Sequence, residues 1–156
     1  MRDEDRPVVR AMRGEEAEAL LRRNHVGRLA FALMERVDVE PVHYVYDAPW
    51  IFGRTSTGAK VLTLARNQWC AFETDEVQGM FDWMSVVAKG PFCPQYTPGA
   101  TWSYDRALAA LRRLFPATLT AADPTPHRDI IYGVHVSEIT GRSSVSSHEP
   151  HAITAG

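Results

Sequence analysis

Ile51-Phe52-Gly53-Arg54-Thr55-Ser56-Thr57-Gly58-Ala59-Lys60 joins a short apolar run to a stretch of helical spacing and gathers an arginine, hydroxyls and a lysine close together. A phosphate monoester carries nearly two negative charges. It needs several donors aimed at one point: an arginine fork, a lysine charge, hydroxyls and free backbone N–H groups. A helix opening near Gly58 would add unpaired amides and the positive end of its dipole. The same composition also suits an ordinary polar link between strand and helix, and spacing alone leaves both readings open. The order G-x-x-x-x-G-A-K departs from a triphosphate-binding Walker loop. Ala59 separates the second glycine from the lysine, and Val61 stands where Ser or Thr is required. A nucleoside triphosphatase is excluded.

Outward from this stretch the chain reads as short strands with a few helices. Upstream, G-E-E-A-E-A-L-L-R-R (14–23) has acids early, arginines late and apolar residues at Ala17, Leu20 and Leu21, which predicts an amphipathic helix. V-G-R-L-A-F-A-L-M alternates Leu29, Phe31 and Leu33 as a strand. V-D-V-E-P-V-H-Y-V-Y is the next, with a bulge or break expected at Pro41 because proline donates no ladder hydrogen bond. Asp47 to Pro49 is a turn and W-I-F-G-R a third strand. A two- to three-turn helix is expected from Lys60 to Asn67, followed by strands over Q-W-C-A-F-E-T-D-E and F-D-W-M-S-V-V-A-K-G. Pro91 to Thr101 reads as a loop. Ser103 caps a helix through Tyr104 to Phe115, ended by Pro116. A Pro-rich link to Arg128 precedes the sixth strand, D-I-I-Y-G-V-H-V-S-E-I-T. The first dozen residues and the Ser-rich tail after Gly141 are expected to be loose. The expected class is mainly β (α+β), a small barrel decorated by helices, with one domain over 1–142 and a flexible tail over 143–156.

The 156 residues suit one domain with a substantial core. Apolar residues make up 45% and charged residues 23%, as in ordinary globular proteins. A net charge of −2 provides no basic field for nucleic acid. No apolar run reaches the roughly 20 residues of a membrane-spanning helix, and the charged start M-R-D-E-D-R-P has no apolar signal core. A cytoplasmic location is expected. Cys70 and Cys93 lack C-x-x-C partners and read as reduced packing thiols.

Metal binding has little support: His148 and His151 lie three apart, but across Pro150 in the polar tail. Glu73 and Asp75 share a strand face and could form an acid–base pair, although a solvated strand end is the simpler reading. No G-x-S-x-G elbow is present. Trp83, with Ser85 and Val87 on one face, suits either core packing or a ligand wall.

In order, V-G-R-L-A-F, P-V-H-Y-V-Y-D, I-F-G-R-T-S-T-G-A-K, F-E-T-D-E and W-M-S-V-V-A-K-G resemble the pyridoxamine 5′-phosphate oxidase-like family of flavin-binding split β-barrels, particularly its nitroimidazole-resistance-type branch. E-I-T-G-R also resembles that family's closing strand. The resemblance implies a six-stranded antiparallel split barrel with flanking helices, homodimeric, binding FMN in a groove at the dimer interface. Arg54, Thr55, Ser56, Thr57 and Lys60 would hold the FMN phosphate. Backbone groups of Pro41, Val42, His43 and Tyr44 would run beside the isoalloxazine ring. Trp83 and Ser85 would line the flavin pocket, with the partner subunit as one source of them. Many relatives carry Asn or Cys in place of His43, and some carry His in place of Arg54. The implied function is an FMN-dependent oxidoreductase passing electrons from NAD(P)H to a small acceptor. No side-chain acid or base is assigned, and His43 is the one candidate. The alternatives are an F420-dependent reductase of the same fold and a non-catalytic flavin- or haem-binding module.

Overall fold

The computed structural model of the chain describes residues 6–57, 69–96 and 101–146. Among them the order is β1 (Val8–Ala11), α1 (Gly14–Arg23), β2 (Val26–Leu33), β3 (Arg36–His43), β4 (Val45–Asp47), β5 (Trp50–Thr55), β6 (Trp69–Gly79), β7 (Asp82–Pro94), α2 (Tyr104–Leu114), β8 (Ile130–His135) and β9 (Glu138–Val145). The mainly β class holds. Nine described strands form one antiparallel sheet where six were expected.

The strands pair in the order β3-β2-β6-β7-β8-β5-β4, and β9 pairs with both β7 and β1. The two ends of that order, β3 and β4, are consecutive in sequence and meet at Tyr44, so the sheet curls back on itself without a ladder closing it. Tyr44 is fully buried. Its N–H donates to the His25 carbonyl at 2.9 Å, and its hydroxyl donates to the Leu21 carbonyl at 2.7 Å. Its ring stands edge-on to Phe72, 4.6 Å between centroids. Truncating a buried aromatic ring costs about 3–5 kcal/mol, against roughly 1 kcal/mol for one hydrogen bond. Ring packing therefore dominates at this joint.

β7 binds the two halves of the sheet together. It pairs with β6 along most of its length, with β9 from Trp83 to Lys89, and with β8 from Phe92 to Pro94. The change of partner falls around Gly90, where an added Cβ would lie 1.6 Å from the His135 carbonyl oxygen. The oxygen belongs to backbone and a Cβ is fixed by the backbone that bears it, so neither can swing aside.

Two apolar clusters fill the fold. α1 contributes Ala17, Leu20 and Leu21 to the first, with Leu29, Phe31, Tyr44, Ile51, Phe72, Val86 and Tyr132. α2 covers the opposite face of β4, β5 and β8 through Ala107, Ala110 and Leu111 on Val45, Trp50, Phe52 and Ile131. Burial on both faces explains the unbroken apolar runs Trp50–Phe52 and Ile130–Tyr132. Both helices form where expected. Ser103 caps α2, its hydroxyl accepting from the Arg106 N–H at 3.1 Å.

Several expectations are corrected. The N-terminus is not loose from Val8 onward, because β1 pairs with β9. The sheet extends to Val145, beyond the expected boundary at residue 142, with Ser143 and Ser144 buried in β9. Flanked by strands on both sides, β9 satisfies its backbone without large apolar side chains. The expected sixth strand is two strands, β8 and β9. Pro91 to Pro94, expected in a loop, continue β7. β3 runs unbroken through Pro41, which sits opposite Arg28 on an edge strand, where a missing donor is tolerated; the break comes at Tyr44 instead. The expected helix over 60–67 and the last ten residues lie outside the described residues.

Gly90→Ala is expected to destabilise the fold by at least ~3 kcal/mol, seen as a lower denaturation midpoint in urea. A wild-type midpoint would contradict the account of β7.

Candidate functional site

Where β3 and β5 part after the Tyr44 joint, a cleft of about 470 Å³ opens under the C-terminal half of α2. Its walls are Val42 and His43 at the end of β3, Arg54 on β5, Leu111, Leu114 and Phe115, and Thr118, Pro124, Thr125 and Arg128 from the α2–β8 link. The volume falls in the range of small-molecule sites, roughly 300–1,000 Å³, and the wall has the usual pattern of apolar surface with a few polar groups.

Three of the expected site residues, Val42, His43 and Arg54, meet at this cleft. Tyr44 does not line it, because its side chain is in the core. Pro41 is exposed one residue upstream. Thr55 is buried in the β5–β8 ladder opposite Ile130, and Ser56 and Thr57 follow as the chain leaves the sheet. Lys60 lies outside the described residues. Trp83 and Ser85 lie in register with Val77 and Asp75 of β6 and do not line the cleft.

Arg54 is tied into the protein. Its Nη2 pairs with the Asp123 carboxylate and donates to the Thr125 carbonyl at 3.2 Å. Its Nε donates to the Arg128 carbonyl at 2.9 Å. The Asp123 side chain is fully buried. Oδ2 also accepts from the Leu119 N–H at 2.8 Å, and Oδ1 accepts from the Thr125 N–H at 2.9 Å. Burial alone would raise the Asp123 carboxyl, but the Thr125 and Leu119 N–H groups and the Arg54 guanidinium hold it at about 2. Leu119 has a left-handed backbone, φ 54°. Such a conformation persists where the surroundings over-determine it, and here the Asp123 carboxylate does so.

Asp123, Arg128 and the apolar wall of α2 were not anticipated as site residues. Asp123-Pro124 carries a turn signal, and the carboxylate does accept from the N–H two residues on. Nothing local announced its pairing with Arg54, 69 residues away in sequence.

A second groove, about 490 Å³, lies on the far side of Leu114 between α1, β4 and α2. Arg22 and Arg113 line it, each in the last turn of its helix, where a cation offsets the helix dipole. Glu73 and Asp75 share the outer face of β6 as expected, with Arg28 at 3.3 and 3.4 Å. Burial, then Asp75, lifts the Glu73 carboxyl above the ordinary range, and Arg28 opposes the shift. The pair lies away from the cleft. Among the described residues no cluster of His, Cys, Asp or Glu could hold a metal, and no helix is long and apolar enough to cross a membrane. Cys70 and Cys93 are both free thiols. Burial pushes Cys70 up to about 12, which makes it a poor nucleophile.

Residues 13–143 match the family model for pyridoxamine 5′-phosphate oxidase. The chain belongs to the pyridoxamine 5′-phosphate oxidase family. The match extends through the α2–β8 link, which carries half of the cleft. No curated protein matches the sequence. Solved structures share the family fold. An FAD-binding protein of Mesorhizobium loti superposes with a TM-score of 0.69 at 24% identity, over 89% of this chain and 99% of its own. A protein assigned to 5-nitroimidazole antibiotic resistance in Bacteroides thetaiotaomicron gives 0.66 at 14% identity, over 89% of each chain. An FAD- and haem-binding protein of Mycobacterium smegmatis gives 0.65 at 14%, over 90% of this chain and 76% of its own.

The Asp123 carboxyl moves from its ordinary 3.8 down to about 2 in the fold. A depressed folded value stabilises the protein above the unfolded value, and that contribution is lost as pH falls through the folded one. Between about pH 4 and pH 2 the thermal midpoint of wild type should therefore fall more steeply than that of Asp123→Asn. Parallel curves would show that the buried pair contributes nothing.

Proposed function

We propose that the chain is a flavoprotein, an FMN-dependent oxidoreductase that takes electrons from NAD(P)H and delivers them to a small acceptor. The observation that carries this reading is the cleft at the β3–β5 parting. It brings Val42, His43 and Arg54, drawn from two separate motifs of the family resemblance, into one lining with Leu111, Leu114 and Phe115. Family membership and the flavin-binding proteins among structural neighbours support it.

A flat, mostly apolar ring system fits the wall of Leu111, Leu114, Phe115 and Val42, and a phosphate tail fits the polar end with Arg54 and Arg128. Bound flavin would supply the hydride and electron chemistry, and the protein would supply position and water exclusion. The backbone of Pro41 to Tyr44 would flank the ring, Thr55 to Thr57 and Lys60 would serve the tail, and His43 would sit at the open rim. Because two of the structural neighbours named above are FAD-binding proteins, the mass of the released cofactor decides between FMN and its dinucleotide.

The proposal includes a homodimer in the cytoplasm, with no nucleic-acid partner. Registered pairing puts Val37 and Val39 of β3 on the same outer face as Ala30 and Ala32 of β2, and carries that face across β6 to Trp83 and Ser85. Val37 is 80% and Val39 59% exposed there. Val37 and Val39 form an exposed apolar strip beside the Arg28–Glu73–Asp75 cluster on that face, and such a strip suits an interaction surface. Trp83 and Ser85 would reach a flavin cleft from the partner subunit.

Purified protein is expected to be yellow and to release FMN on denaturation; a colourless protein that takes up no added flavin or F420 sinks the proposal. Flavin that binds tightly but is never reduced by NAD(P)H would point to the non-catalytic module. Val39→Asp should shift the protein from dimer to monomer in light scattering and weaken flavin binding at least about tenfold. A monomer with wild-type affinity would contradict the shared site.

A further inference from the structure

Resting on the flavin reading above, the geometry points to a division of labour between two arginines: Arg54 fastens the wall of the cleft, and Arg128, supplied by that wall, takes the phosphate of the flavin tail. Arg128 is a phosphate-binding residue outside the Ile51–Lys60 motif, and Arg54 is a positioning residue.

Two of the three nitrogens of Arg54 are already engaged. Nη2 serves Asp123 and the Thr125 carbonyl, and Nε serves the Arg128 carbonyl, so the Nε–Nη2 edge that would grip a phosphate is turned onto the 123–128 segment. Its side chain is 12% exposed and faces a fully buried carboxylate. Turning it toward a ligand would leave that carboxylate buried and without its counter-charge, a costly exchange. Arg128 is in the opposite situation. It lines the same cleft, its side chain has no carboxylate partner among the described residues, and its backbone carbonyl is what Arg54 holds. The contact between the two therefore sets where the Arg128 side chain begins. Its charge also reaches inward. Burial pushes the Tyr132 phenol up, Cys70 and Glu40 add to the shift, and Arg128 alone pulls it back. An exposed cation on a pinned backbone, beside an apolar wall, suits a phosphate monoester whose apolar body lies along that wall.

The sign of one substitution separates this arrangement from a direct Arg54 clamp. If Arg54 gripped phosphate, Asp123 would compete with the ligand, and Asp123→Asn would tighten FMN binding. If Arg54 positions the segment, the same change loosens it and weakens FMN.

The test is titration of the full-length protein with FMN and with riboflavin, which lacks the phosphate, alongside unliganded melting curves. Arg128→Ala should weaken FMN about tenfold, the loss of one charge-assisted contact, with riboflavin affinity and the melting midpoint unchanged. Asp123→Asn should lower the midpoint and weaken FMN. Wild-type FMN affinity in Arg128→Ala, an equal loss for FMN and riboflavin, or tighter FMN binding in Asp123→Asn would each overturn the assignment. If wild type binds neither flavin, the flavin reading itself fails and this assignment falls with it. Binding of riboflavin with no gain for FMN overturns this assignment alone.

Discussion

The chain passes from one edge of its sheet to the other through a single residue, Tyr44. Hydrogen bonds to the His25 and Leu21 carbonyls and the packing on Phe72 hold that residue in the core. With the joint fixed, β3 and β5 diverge from a common origin, and the space between them is the cleft. A continuous β3–β4 strand would remove the parting; a longer linker would let the edges drift.

The far wall of the cleft is attached by charge. The α2–β8 link carries little apolar weight of its own, and its backbone would be poorly anchored without the Arg54–Asp123 pair and the N–H groups that share the Asp123 carboxylate. Isolated buried ion pairs seldom favour stability over an apolar replacement, but they specify which segment goes where. Here the pair joins β5 to a segment that supplies Pro124, Thr125 and Arg128 to the cleft. Fold and binding surface are linked through the same guanidinium.

Much of this was legible in the sequence wherever the signal was periodic. The alternation of Leu29, Phe31 and Leu33, the i, i+3, i+4 spacing of Ala17, Leu20 and Leu21, and the Ser103 cap all predicted elements that form. The cleft residues Val42, His43 and Arg54 were legible through the family resemblance. What was missed is non-local. Ser143 and Ser144 belong to β9 because β1 and β7 pair with its backbone on both sides, which no hydropathy pattern reports. Pro91 and Pro94 belong to β7 because antiparallel pairing turns alternate N–H groups away from a given neighbour. Arg54 looked like a free phosphate donor because its partner, Asp123, comes after two more described strands and a whole helix. Composition identifies a cation; only the fold shows what it faces.

The central claim is that the β3–β5 cleft is where flavin binds. Amide hydrogen exchange with and without saturating FMN measures this directly, because bound ligand slows exchange in the segments it covers. The account predicts added protection confined to Val42–Tyr44, the end of β5 and residues 118–128. Protection elsewhere, with these segments unchanged, would contradict it.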